Sequence, residues 1–185
     1  MPERDPGRLP AYCGSLGGAC LTRLLAVEEI PVERAIIDAG ITPYRMPLFL
    51  RGLSCLRDCL GFRLVTGSRR ALEAAYLPER WTLPGRDPAK EYDALTAYLR
   101  TYSGRTIRNI FWSANNYALP PEPAEMGCRM IYWYGDEEKK ARHGNICFIK
   151  GYFPHIRTRG IPKMDHAELV MLHPQEFYRR AKEVF

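Results

Sequence analysis

The spacing of apolar residues changes period several times along the chain, and each change marks an element. Leu9 to Gly14 is a short, mostly apolar run between Pro- and Gly-containing segments, which predicts a strand. After Ser15 the spacing turns helical, with Leu16, Ala19, Cys20, Leu24 and Val27 recurring on one side. A strand, a tight turn and a helix follow from that order. Gly17 and Gly18 are poor helix formers, so their place in the first helical turn predicts close approach to a neighbouring strand. Beyond Pro31, Ala35-Ile36-Ile37 closing on Asp38-Ala39-Gly40 reads as a second buried strand.

From about Tyr44 to Glu125 the character shifts to short helical stretches broken by Gly and Pro, with Arg and aromatic residues mixed throughout. Cys128 to Tyr134 is then strongly apolar and aromatic, a third strand, followed by a helix in which Ala141, Phe148, Ile149 and Tyr152 share a face. His155 to Ile161 is a weaker fourth strand, and a last helix opens near Pro174 with Phe177, Ala181 and Val184 on one side. Strands alternating with helices predict an α/β fold whose parallel sheet is covered on both faces. The expected organisation is a core over 1–44, a helical insertion over 45–126 and a return to the core over 127–185.

At 185 residues the chain suits one principal core with an inserted subdomain. A hydrophobic share of 46%, a charged share of 26% and a mean hydropathy of −0.32 exclude disordered and low-complexity classes. No apolar run is long enough for a membrane span, and the N-terminus lacks the apolar segment of a signal peptide, so a cytoplasmic location is expected. In that setting the six cysteines are expected to be reduced. A net charge of +6 permits contact with nucleic acid, but the basic residues are dispersed and no recognition motif is present, so neither nucleic acid nor membrane is expected as a partner.

Candidate chemistry centres on Tyr12-Cys13-Gly14-Ser15-Leu16-Gly17-Gly18, a serine at a strand-to-helix turn among small residues. This stretch resembles the nucleophile elbow of the α/β-hydrolases, in which a sharp turn exposes the hydroxyl above the sheet and small neighbours avoid a clash. Cys13 stands where the first glycine of the usual G-x-S-x-G pattern lies, and Gly17 fits the second. The same residues would also suit a plain tight turn packed on a helix. Two later pieces follow in the family's order of serine, acid and histidine.

The strand Met130 to Gly135 runs into Asp136, Glu137 and Glu138, and the resemblance puts the acid three residues beyond the glycine, at Glu138. Asp136 is the second candidate acid, and Asp38, at the end of the earlier strand, is the third. The same carboxylates would complement the dipole of the next helix. The loop Ile161 to Leu169 resembles the family's histidine loop ahead of the final helix, which singles out His166 over His143, His155 and His173.

The resemblance implies a serine hydrolase for esters or related small acyl substrates, with Ser15 as nucleophile, His166 as base and a carboxylate orienting it. The backbone N–H of Leu16 would be one oxyanion donor, and no metal or organic cofactor is implied. The family's sheet has about eight strands with the nucleophile after the fifth. The resemblance therefore begins just ahead of that strand, so earlier strands and the second oxyanion donor are expected outside this sequence. The exposed edge of the serine strand would then be paired by a preceding segment, a second chain or the insertion. A rival expectation is a non-catalytic domain that dimerises or binds a partner through that edge. Elsewhere, Cys55 and Cys59 read as core packing rather than a metal site. Tyr76, Trp81, Tyr92, Tyr98, Phe111 and Trp112 read as either an acyl pocket or the insertion's own core. No phosphate loop or dinucleotide fingerprint is present.

Overall fold

The computed structural model describes residues 9–27, 31–43, 47–114, 117–122 and 128–185, with the side chain of Val27 outside that description. The expected insertion boundaries at 44/45 and 126/127, and its expected start at Tyr44 and end at Glu125, fall outside the described residues. In chain order the elements are β1 (Leu9–Gly14), α1 (Gly17–Val27), β2 (Val32–Asp38), α2 (Leu48–Thr66), α3 (Arg69–Ala75), α4 (Pro78–Trp81), α5 (Pro88–Arg100), α6 (Gly104–Ala114), β3 (Arg129–Gly135), α7 (Lys139–Tyr152), β4 (Arg157–Ile161), α8 (Glu168–Leu172) and α9 (Pro174–Val184). They divide into two compact units, one of Met1–Pro43 with Ala118–Phe185 and one of Tyr44–Tyr117.

The first unit holds a four-stranded sheet in the order β1-β2-β3-β4, with every neighbouring pair parallel. Period-2 alternation sends side chains from one strand to opposite faces. Ala35, Ile37 and Tyr132 join Leu21, Leu25, Ile149 and Phe153 in one core cluster. Ile36 and Trp133 join Ile161, Leu169 and Ala181 in a second. The inner strands are thus buried on both faces, as a parallel sheet between helices requires. On the second face, Phe177 of α9 meets both Trp133 and Tyr12 edge-on, at 6.3 Å and 5.0 Å between ring centres.

The two glycines at the start of α1 have different reasons. A Cβ on Gly18 would lie 2.4 Å from Gly40 Cα, whereas one on Gly17 would meet only Cys13 Cβ, at an ordinary 3.5 Å. The close approach is therefore made by Gly18, and its partner is the loop just past β2. On α7 the expected face is displaced. Ala141 is exposed, and the inward side runs through Arg142, Asn145, Ile146, Ile149 and Phe153. Ile149 of the expected face is buried and Tyr152 packs on the same core, so the face is only rotated: polar residues at 142 and 145 interrupt the apolar period and hide the rest of the inward side. The fourth strand begins at Arg157, with His155 in the preceding turn.

The second unit, α2 to α6, is helical and has its own interior. Tyr92 is buried and donates to the Tyr76 carbonyl at 2.7 Å, Tyr76 meets Trp81 edge-on, and Phe62 packs on Phe111 and Tyr102. Cys55 Sγ lies 4.0 Å from Cys59 Sγ. Along α2, Phe49, Leu53, Leu56, Leu60 and Leu64 form an exposed apolar stripe. No helix among the described residues is long and apolar enough to cross a membrane.

The Gly18–Gly40 contact leaves no room for a methyl group, whereas Gly144 on α7 has open space around its Cβ direction. Gly18→Ala is expected to lower stability by about 1–3 kcal/mol through overpacking. Gly144→Ala is expected to raise it by about 0.5–1 kcal/mol through helix propensity. Denaturant titration of the two variants measures both, with opposite signs expected.

Candidate active site

Three chain segments converge at the C-terminal ends of the strands in the first unit. The first is the turn after β1. Ser15 has φ 51°, in the left-handed region that a residue with a Cβ enters at a cost of about 1 kcal/mol or more. Three backbone bonds hold it there: Ser15 N–H to the Asp38 carbonyl at 2.9 Å, and the N–H groups of Gly18 and Ile41 to the Ser15 carbonyl at 3.0 and 3.1 Å. The loop after β2 closes around the same turn. Its Ala39 is also left-handed at φ 48°, and the Tyr132 hydroxyl donates to the Gly40 carbonyl at 2.8 Å.

The other two segments, the loop after β3 and the loop after β4, are joined to each other. Asp136 N–H donates to the Ile161 carbonyl at 3.0 Å, and Glu137 N–H to the Met164 carbonyl at 3.1 Å. A Cβ on Gly135 would lie 2.2 Å from Met164 O, so only glycine lets the end of β3 come this near the histidine loop. That loop bends twice through left-handed residues, Lys163 and Ala167, with His166 between them. Asp165 Oδ1 accepts from His166 N–H at 2.7 Å, and Glu168 Oε2 accepts from Asp165 N–H at 2.8 Å, which fixes the bend from inside.

The outcome is a chain of side chains. His166 Nε2 lies 2.9 Å from Ser15 Oγ, and His166 Nδ1 lies 2.9 Å from Glu138 Oε2. Glu138 is buried, and its second oxygen accepts from Gly135 N–H at 3.2 Å. Burial alone would raise the carboxyl pKa, but His166 and Arg142 beside it more than offset it and hold it below the ordinary value. The N–H of Leu16, next to Ser15, has no backbone acceptor among the described residues. Cys13 is no rival nucleophile at neutral pH, because burial pushes its thiol up to about 12.

Neither alternative acid is hydrogen-bonded to His166 among the described residues. Asp136 is exposed, with its carboxylate against Gly160, where a Cβ would collide with it. Asp38 is buried and accepts from the Tyr12 hydroxyl at 3.0 Å. Its burial raises its pKa above the usual carboxylate range despite that bond. Of the remaining histidines, His143 lies 3.6 Å from Cys147 on an exposed part of α7.

Sequence reading passed over Arg142. Its Nε donates to Glu138 Oε2 at 2.6 Å, and its Nη2 lies 3.0 Å from His166 Nδ1. The available signal was a charged residue in register with Ile146, Ile149 and Phe153 on the inward face of α7.

No protein-family model matches the sequence, and no curated protein matches it. Solved structures do. An alpha/beta hydrolase family protein from Desulfitobacterium hafniense is similar with a TM-score of 0.66 at 15% identity, over 96% of this chain and 69% of its own. A marine microorganism esterase is similar with a TM-score of 0.57 at 15% identity, over 97% of this chain and 70% of its own. The chain has an α/β-hydrolase fold. MenH from S. aureus is similar at a TM-score of 0.59 and 12% identity, over 94% and 66% of the two chains. This α/β-hydrolase-fold chain thus spans about two thirds of the length of the structures it matches.

The burial of Asp38 yields a stability prediction. A carboxyl whose folded pKa is raised contributes stability that is full below its ordinary value of 3.8 and lost as pH rises through the folded value. Asp38→Asn keeps an acceptor for Tyr12 and removes the buried charge. It is expected to melt at a higher temperature than the parent at neutral pH, with the gap closing on acidification. A thermal melt series from neutral to acid pH reads the effect.

Proposed function

We propose that the chain is a serine hydrolase acting on carboxylic esters or related small acyl substrates through Ser15, His166 and Glu138. The observation that carries this reading is the pair of 2.9 Å contacts linking Ser15 Oγ, His166 and Glu138, which begins at a serine held in a left-handed turn. The description of a structural neighbour as an esterase supports the acyl chemistry. In the proposed reaction Ser15 Oγ attacks the acyl carbon while its proton passes to His166 Nε2. Glu138, deprotonated and desolvated, stabilises the imidazolium through Nδ1–H. The Leu16 N–H at the head of α1 faces the developing oxyanion. The alkoxide leaves with the proton from His166, and water releases the acid by the same steps. Nucleophile, base and water complete this chemistry without a metal or organic cofactor.

A second reading is favoured by one observation. Among the described residues the outer edge of β1 has no strand beside it, and Leu9 on that strand is 66% exposed. A module that binds by strand addition at that edge would account for this without any reactive serine.

Labelling with a fluorophosphonate separates the two, since the probe loses fluoride only to an activated serine. The hydrolase reading expects stoichiometric labelling by intact mass, abolished in Ser15→Ala and His166→Ala. Glu138→Gln is expected to slow it on the order of 10³- to 10⁴-fold, the scale seen when a triad carboxylate becomes an amide. Asp38→Asn is expected to change it less than about tenfold, a margin of about 1.4 kcal/mol. An unlabelled, folded protein that forms a stable dimer in light scattering would favour the binding module.

A further inference from the structure

His166 Nδ1 has two neighbours that make contradictory demands on it. Glu138 Oε2, at 2.9 Å, is an acceptor and calls for a proton on Nδ1. Arg142 Nη2, at 3.0 Å, carries an N–H directed at the same nitrogen. A guanidinium has five donors and no acceptor and does not deprotonate in proteins, so Nδ1 satisfies Arg142 only as a bare lone pair. One ring nitrogen cannot meet both demands in one protonation state.

Each demand fixes the other end of the ring. With the proton on Nδ1, Nε2 is a lone pair facing Ser15 Oγ and is ready to take its proton. With the proton on Nε2, the ring donates to Ser15 Oγ and cannot act as its base. Glu138 does not break the tie by itself. Its Oε2 already accepts from Arg142 Nε at 2.6 Å and its Oε1 from Gly135 N–H at 3.2 Å, so the carboxylate is supplied with donors in either state. Arg142 sits one helical turn after Glu138 on α7, with only 19% of its side chain exposed, so solvent screening of its charge is limited. Its charge also lies beside a ring that must become cationic during attack on an acyl group.

We propose that Arg142 is a positioning residue that biases His166 toward the tautomer protonated on Nε2, so that it restrains the Ser15–His166 pair until the guanidinium gives up Nδ1. This rests on the hydrolase reading for its consequence, but the tautomer itself belongs to the ring and is measured without any substrate.

The test combines two readouts on the full chain. Nitrogen NMR of protein carrying ¹⁵N-labelled histidine reports which ring nitrogen of His166 bears the proton, with His166→Gln supplying the assignment. The proposal expects the Nε2–H form in the parent and a shift to Nδ1–H, with a low-field proton, in Arg142→Met, which keeps the bulk of the side chain without its donors. Fluorophosphonate labelling of Ser15 should then run faster in Arg142→Met on the order of tenfold, the size of one hydrogen bond to a charged group. Arg142→Lys, a single ammonium that cannot fork between Glu138 and Nδ1, should behave like Arg142→Met rather than like the parent. An Nδ1–H ring in the parent overturns the proposal, a result that needs no variant to fold. An unchanged tautomer, or labelling no faster in folded Arg142→Met, overturns it as well. If no variant labels at all while the tautomer moves as expected, the hydrolase reading fails and the assignment of Arg142 to the ring stands.

Discussion

The backbone-to-backbone approach of Gly18 and Gly40 is the constraint on which the rest of the site depends. It lets α1 begin directly against the loop after β2, and that loop in turn supplies the bonds that hold Ser15 in a left-handed turn. Left-handed backbone at a residue with a Cβ persists only where the surroundings over-determine it. Here the end of β2, the loop after it and the start of α1 all bond to one residue, so the strain is borne by the surrounding backbone. Gly135 does the same work on the other side, by letting the loop after β3 dock on the histidine loop.

Charge is arranged on that frame around two buried carboxylates that also feel one another. Glu138 is buried with two donors on it, Gly135 N–H and Arg142 Nε, and the imidazole of His166 beside it, so it stays ionised where water is scarce. Asp38 is buried with one neutral donor, and burial dominates its titration. Two carboxylates at the ends of neighbouring strands thus differ in character because of their donors. Arg142 belongs with the first carboxylate and complicates its role. The donor that secures Glu138 also competes for the nitrogen that Glu138 would otherwise orient.

Much of this was legible in the sequence because the elements involved obey a single period. The apolar runs around Ile36 and Tyr132 are strands buried in a parallel sheet and Leu9–Gly14 is its edge strand, whereas Ser15, Glu138 and His166 were singled out by resemblance to a family's loops and not by period. The solved structures with this fold agree with the α/β class read from the alternation. What was not legible has a common cause, which is that tertiary contacts are not periodic. Gly18 and Gly40 are far apart in sequence, so the pairing of two glycines is visible only in space. Arg142 and Asn145 look like solvent-facing residues on α7, yet they face inward because each has a polar partner there, Glu138 for one and Thr42 for the other. The short helix α8 was missed because its five residues are too few to show a repeat.

In the proposed reaction Ser15, activated by His166, becomes covalently acylated, and the most direct measurement is to trap that intermediate. The protein is mixed with a short-chain nitrophenyl ester, quenched in acid within the first turnovers and digested, and the peptide carrying Ser15 is weighed. The expected result is an added acyl group on Ser15 that disappears as the ester is exhausted and never forms when His166 is replaced by alanine. Folded protein that hydrolyses the ester with the acyl group on another residue, or that never carries one at Ser15, would contradict it.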